Sequence, residues 1–220
     1  MSDPVVPAAE RSRWNWKRTN QTQRTLLDAA LELFIENGYA GTSVEDIVQR
    51  SNLSIGSLYH HFGNKAGLYL ALWQEWVKDQ ENLVSTAIED LQSRGEAGTV
   101  PLFMVGARAY LEGCWNHRSR GSVFFAQDGP PGFELRLRNG RHEWLRQVTV
   151  LTHASDDPLG RLTVSVMMAI VAEGAQEVVT SGSRADADEI MDATLLMIER
   201  VGASDTGDAV ADTPAEASAS

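Results

Sequence analysis

An all-α fold is predicted: an N-terminal three-helix helix-turn-helix domain followed by a larger helical domain. Three observations carry this. Apolar residues recur at helical spacing almost everywhere, no segment alternates as a strand would, and two short helical patterns joined by a tight turn occupy residues 43–62.

Taken in order, Leu27, Ala30, Leu31 and Phe34 form one apolar stripe over residues 22–37, and Gly38 stops that helix. Thr42-Ser-Val-Glu45 has the form of a capping box and opens a short helix carrying Val44, Ile47 and Val48. After the turn Ser51-Asn52-Leu53, Ser54 is placed to cap a third helix running through Phe62. Asn64 then caps a long helix to about Ser93, with Leu68, Leu72, Trp76, Leu83 and Leu91 as candidate core. Pro101 suits the first turn of a helix ending near His117. Residues 118–132 carry loop signals around a short apolar run, Val123 to Ala126. A helix over 133–152 follows. Asp157-Pro158 starts a helix to Thr180 that is apolar around most of its circumference, the mark of burial on more than one side. Residues 185–201 supply the last amphipathic helix. The acidic tail 202–220, with no aromatic residue or leucine, is expected to be disordered.

Composition narrows the class. The chain has 220 residues, 43% hydrophobic and 22% charged, which excludes wholesale disorder. No apolar run approaches the roughly 20 residues of a membrane span, and the first residues lack a signal-peptide core, so a cytoplasmic protein without membrane contact is expected. With Cys114 as its single cysteine the chain forms no internal disulfide. Cys114 and His117 share a helical face but are too few to hold a metal; neither metal nor cofactor is expected. The net charge of -11 lies entirely beyond residue 65, and residues 10–24 are locally basic through Arg11, Arg13, Lys17, Arg18 and Arg24. Such asymmetry points to nucleic-acid contact. Residues 1–18 read as a flexible basic arm, in which Trp14 and Trp16 enter a minor groove, pack at the start of the first helix, or are simply disordered.

A helical wheel at about 100° per residue sorts the third helix. Leu58, Phe62 and Ile55 cluster on one side and are expected to face inward. Gly56, Ser57 and His60 point the other way, flanked by Tyr59 and His61. That outer face suits DNA: Gly56 lets a backbone approach, Ser57 and Tyr59 can bond phosphates, and His60 can reach base edges. Lys65 is placed to neutralise a phosphate.

The same residues carry a resemblance. Thr42-Ser-Val-Glu-Asp-Ile-Val and Ser54-Ile-Gly-Ser-Leu-Tyr-His-His-Phe-Gly-Asn-Lys-Ala-Gly-Leu68 resemble the DNA-binding domain of TetR-family transcriptional regulators. The resemblance covers about the first third of the chain. It implies a homodimer on a palindromic double-stranded operator, usually a repressor, released when a small molecule enters the C-terminal domain. It divides the chain into a DNA-binding domain at 19–65 and a ligand-binding and dimerisation domain at 66–201. It implies backbone contacts from Thr42, Ser57, Tyr59, His61 and Lys65, and proximity to bases for Ile55, Gly56, Tyr59 and His60. Ser43 and Ser54, at the starts of the two helices, complete the candidate DNA-binding set.

Trp76, Phe103, Tyr110, Trp115, Phe125, Trp144 and Met167 fall on the helices that line the ligand cavity in that family. With Glu112 and Glu173 as polar handles they are the candidate walls for an apolar or aromatic effector. The helices at 159–180 and 185–201 are the expected dimer interface, with Val178 and Ile198 as candidate contacts. Two rival readings stay open: a helical partner-binding module without DNA, and an enzyme using the C-terminal cavity. No catalytic residue is assigned, because no nucleophile triad, phosphate loop or paired His-Glu motif occurs.

Overall fold

The computed structural model describes the backbone of residues 8–95, 98–126, 128–138, 140, 150 and 157–206. Among these the regular structure is helical throughout: α1 (Ala8–Asn37), α2 (Val44–Ser51), α3 (Ile55–Phe62), α4 (Lys65–Ser93), α5 (Thr99–Asn116), α6 (Arg118–Phe125), α7 (Pro158–Thr180) and α8 (Arg184–Thr206).

The short helices are built by their caps and turns. Asn52 adopts the left-handed conformation that ends α2, and Ser54 accepts from the Ser57 N–H to begin α3. Asn64 accepts from the Gly67 N–H to begin α4, and Asp157 accepts from Leu159 and Gly160 to begin α7. On α4 the side chains of Leu68, Leu72, Trp76, Gln80, Val84 and Ile88, each four residues apart, are buried. They face α1 and α6 at one end and α5 at the other. Helices α7 and α8 form a hairpin that packs on α5. One core cluster runs from α1 through Leu58 and Tyr69 to Val178 and Met191, so it is shared between the N-terminal helices and the C-terminal region.

Several boundaries differ from the sequence reading. Helical backbone begins at Ala8, continuous with α1, so residues 8–18 are not a separate arm; the segment after Pro7 contains no glycine or proline to stop it. The side chains of Trp14 and Trp16 lie outside the described residues. Residues 118–125, expected as loop, form α6, because Gly121 marks close packing and not a turn. A methyl group there would stand 3.1 Å from Val179 and 3.2 Å from Trp76. Leu83, expected in the core, is exposed. Of the helix expected over 133–152, residues 133–138 are helical, and most of the remainder, with Trp144, lies outside the described residues. The last helix continues to Thr206, beyond the expected end at 201. Against the expectation of no candidate span, α7 is long and apolar enough to cross a membrane by length and composition. Here it lies against α5, α6 and α8.

Candidate nucleic-acid interface

The turn between α1 and α2 decides how the helix-turn-helix sits. Gly38 holds φ at 73°, a conformation that favours glycine. The cap of α2 is Ser43 and not Thr42. Ser43 Oγ accepts from the Asp46 N–H at 3.0 Å while the Asp46 carboxylate accepts from the Ser43 N–H at 2.9 Å. The Ser43 hydroxyl, which also donates to the Asp46 carboxylate at 2.6 Å, and after it the Ser43 N–H hold the Asp46 carboxyl below its usual pKa. The capping box thus sits one residue later than the sequence suggested.

Thr42 has a different task. Its side chain is 2% exposed, and its hydroxyl faces the carbonyls of Leu33 (3.1 Å) and Gly38 (2.8 Å). The expected phosphate contact by this hydroxyl is therefore corrected: it ties the turn to α1.

Lys65 is also more than a surface charge. Its ammonium donates to the carbonyls of Tyr39 and Thr42, both at 2.6 Å, and stands 4.1 Å from the centre of the Tyr39 ring. Partial burial lowers its pKa. Two of its three N–H groups are occupied inside the protein, which leaves one for a phosphate.

The outer face of α3 presents Gly56, Tyr59 and His60 to solvent, with Ser57 and His61 half-buried beside them. The rings of His60 and His61 meet edge to face at 4.9 Å. Leu58 is fully buried and Phe62 half-buried, as the wheel predicts. Ile55 is not inward: it is 45% exposed, beside Tyr59 at 52%. At the first position of an eight-residue helix it lies beyond the packing that Leu58 makes. An exposed isoleucine next to a glycine and a tyrosine is an apolar contact surface of the kind a thymine methyl meets.

The candidate effector residues are not brought to one place. Trp76 is buried in the shared core, and Phe125 and Trp115 pack against it. Phe103 and Met167 belong to a second cluster between α5, α7 and α8, while Tyr110 touches both clusters and a third. Glu112 is no cavity handle, because it forms a two-pronged ion pair with Arg184, both contacts at 2.8 Å. Glu173 is exposed. The Arg118 guanidinium lies over the Trp115 ring at 4.3 Å. Burial pushes the Cys114 thiol up to about 12, and Cys114 and His117 do not converge, the first being buried and the second exposed.

Sequence reasoning missed Gln80, which is 2% exposed with neither side-chain oxygen nor nitrogen hydrogen-bonded. The signal was present as one polar residue in the four-residue apolar repeat of α4. It also missed Asp128, whose carboxylate reaches the α1–α2 turn.

A capped helix-turn-helix with an exposed α3 face, among described residues whose regular structure is all helical, defines a helix-turn-helix protein of all-helical build. Residues 26–72 match the family model for bacterial regulatory proteins, tetR family. The chain is 44% identical over 63 residues to the HTH-type transcriptional regulator QacR of Staphylococcus aureus, covering 25% of this chain and 34% of that one. It is 36% identical over 87 residues to the HTH-type transcriptional activator FasR of Mycolicibacterium smegmatis, covering 40% and 38% respectively. In these alignments the chain spans little more than a third of the relatives' own length. A TetR-like transcriptional regulator from Rhodococcus sp. RHA1 shares the fold across 84% of this chain and 95% of that one, with a TM-score of 0.62 at 18% identity. The likeness to the TetR family lies in the N-terminal region that these matches cover, and the fold is shared beyond it.

Proposed function

We propose that this protein is a ligand-responsive transcriptional regulator, a homodimer that represses from a palindromic operator and leaves it when an apolar or aromatic small molecule binds. Residues 19–65 form its DNA-binding unit, and 66–201 its ligand-binding and dimerising unit. The observation that carries this reading is the outer face of α3, which offers Ile55, Gly56, Tyr59 and His60 on a short helix fixed at both ends. In this reading Ser43, Ser54, Ser57, Tyr59 and His61 meet phosphates. Ile55, Gly56, Tyr59 and His60 meet base edges in the major groove. Among the described residues, the unpaired carboxamide of Gln80 is a group that a hydrogen-bonding effector would satisfy.

The test is selection of duplexes from a random pool by the full chain, followed by fluorescence anisotropy at two salt concentrations. Recovery of a palindromic site is expected. His60→Ala should then relax preference at one or two positions per half-site, each loss about 1–3 kcal/mol, the usual cost of a mismatched pair. A change in the salt slope alone would assign His60 to phosphate and not to a base.

Exposed apolar side chains support the dimeric reading. Leu159, Leu162 and Val166 form an outward stripe on α7, and Leu196 and Met197 lie exposed on α8. A second copy placed about a two-fold axis would cover both, as in a four-helix bundle. Val178 and Ile198 are fully buried within one chain, so glutamate there would unfold the protein instead of separating subunits. Leu162→Glu is the informative change. It should yield a folded monomer by light scattering with much weaker operator binding, whereas a monomeric wild type would remove the basis of this interface.

A further inference from the structure

The backbone of the α1–α2 turn is held from outside by two opposite charges. Lys65 takes the carbonyls of Tyr39 and Thr42. The Ala40 N–H in turn donates to both carboxylate oxygens of Asp128, at 3.1 and 3.3 Å, from 88 residues away in sequence. Asp128 sits so tightly over the turn that a methyl group at Gly38 would stand 2.5 Å from its Oδ2. The glycine that permits the turn's positive φ therefore also admits the carboxylate.

Asp128 cannot swing freely. It is followed by Gly129-Pro130-Pro131-Gly132, in which two fixed φ angles stiffen the chain. On one side of this segment Phe124, in α6, meets Tyr69 and Trp73 edge to face at 5.5 and 5.2 Å. On the other side Phe133 meets the same two rings at 4.9 and 5.3 Å. Helix α6 is in turn bound to α4 through Arg120, which reaches Asp79, Glu75 and the Leu72 carbonyl. Any displacement of α6 or of residues 133–138 must either carry the α1–α2 turn with it or break the bond to Ala40.

We infer that Asp128 is a latch: its carboxylate on the Ala40 N–H couples the segment after α6 to the helix-turn-helix, so that withdrawal of this segment frees the turn that orients α2 and α3. The inference gives the ligand-responsive reading above a physical route and rests on that reading for its purpose. The latch itself is testable without an effector.

The experiment is amide hydrogen exchange on the full-length wild type, Asp128→Ala and Asp128→Asn, each alone and with a duplex recovered by selection. In the free protein, exchange at residues 38–43 should be about tenfold faster in Asp128→Ala, because a protecting acceptor is gone. Asp128→Asn keeps one acceptor oxygen and should lie between, which serves if the alanine variant does not fold. With duplex, wild type should change protection at both 38–43 and 123–133, since coupling between sites is reciprocal. Asp128→Ala should change only the first. Unchanged exchange at 38–43 in the free variant, or wild-type transmission to 123–133 in its complex, overturns the latch. Should the wild type select no duplex, the DNA-binding reading fails, and the comparison of free proteins alone decides whether Asp128 holds the turn.

Discussion

Lys65→Met is expected to weaken operator binding by about 10- to 100-fold and to lower the thermal midpoint, while changing the salt dependence by less than one ion. Methionine keeps the length and apolar character of the stem and removes all three donors. The carbonyls of Tyr39 and Thr42 then lose their shared partner. A buried acceptor left unpaired costs roughly 1–3 kcal/mol, so the turn loosens before DNA is considered. The sequence alone suggests a simpler outcome, the loss of one phosphate neutralisation and a slope reduced by about one unit. The structure redirects that expectation, because two of the three N–H groups hold backbone and the cation also sits over Tyr39. Anisotropy titrations over a salt series, run beside thermal melts, separate the two. A full unit lost from the slope with an unchanged midpoint would make Lys65 a phosphate ligand and nothing more.

What the sequence made legible is what local chemistry decides. The turns at Gly38 and Asn52, the caps Ser54, Asn64 and Asp157, and the inward placement of Leu58 each depend on a few neighbouring residues. The cap of α2 shows where this ends. Thr42 and Ser43 are both hydroxyls followed three residues later by a carboxylate, Glu45 or Asp46, so either box fits the pattern. Burial of Thr42 against α1 selects the second, and burial is a tertiary fact. Ile55 shows the same limit, since the wheel averages over a helix that is covered only from Leu58 onward. Glu112 looks like a pocket handle until Arg184, 72 residues later, is seen to claim it. Asp128 is illegible for the same reason: nothing in Asp-Gly-Pro-Pro-Gly names Ala40 as its donor. The region beyond residue 93 is read least well because its helices are set by packing against one another, as Gly121 in α6 shows.

Tyr69→Ala should destabilise the protein by roughly 3–5 kcal/mol, the usual cost of deleting a buried aromatic ring. Tyr69 is 1% exposed and lies where the N-terminal and C-terminal helices share one core. Its ring meets Phe34 and Tyr39 on one side, at 5.7 and 5.2 Å, and Phe124 and Phe133 on the other, at 5.5 and 4.9 Å. Four aromatic contacts end in one void when it is removed, and none of these large rings can collapse into it without breaking its other contacts. At about 2–4 °C per kcal/mol for a chain of this size, the midpoint should fall by roughly 6–20 °C. Tyr69→Phe isolates the hydroxyl, which donates to the Val123 carbonyl at 3.2 Å in the buried interior. Losing that bond should cost about 1–3 kcal/mol, because the carbonyl is left without this donor. The phenol adds a pH signature. Burial raises its pKa above the ordinary 10.0, so the folded state keeps a proton that the unfolded chain gives up. Its contribution is present in full below pH 10.0 and is lost as the pH rises from there toward the raised folded value. Phenylalanine has no proton to lose, so the gap between wild type and Tyr69→Phe should narrow in alkaline buffer. Equal alkaline slopes for the two proteins in chemical denaturation would show that the phenol is not buried as this packing requires.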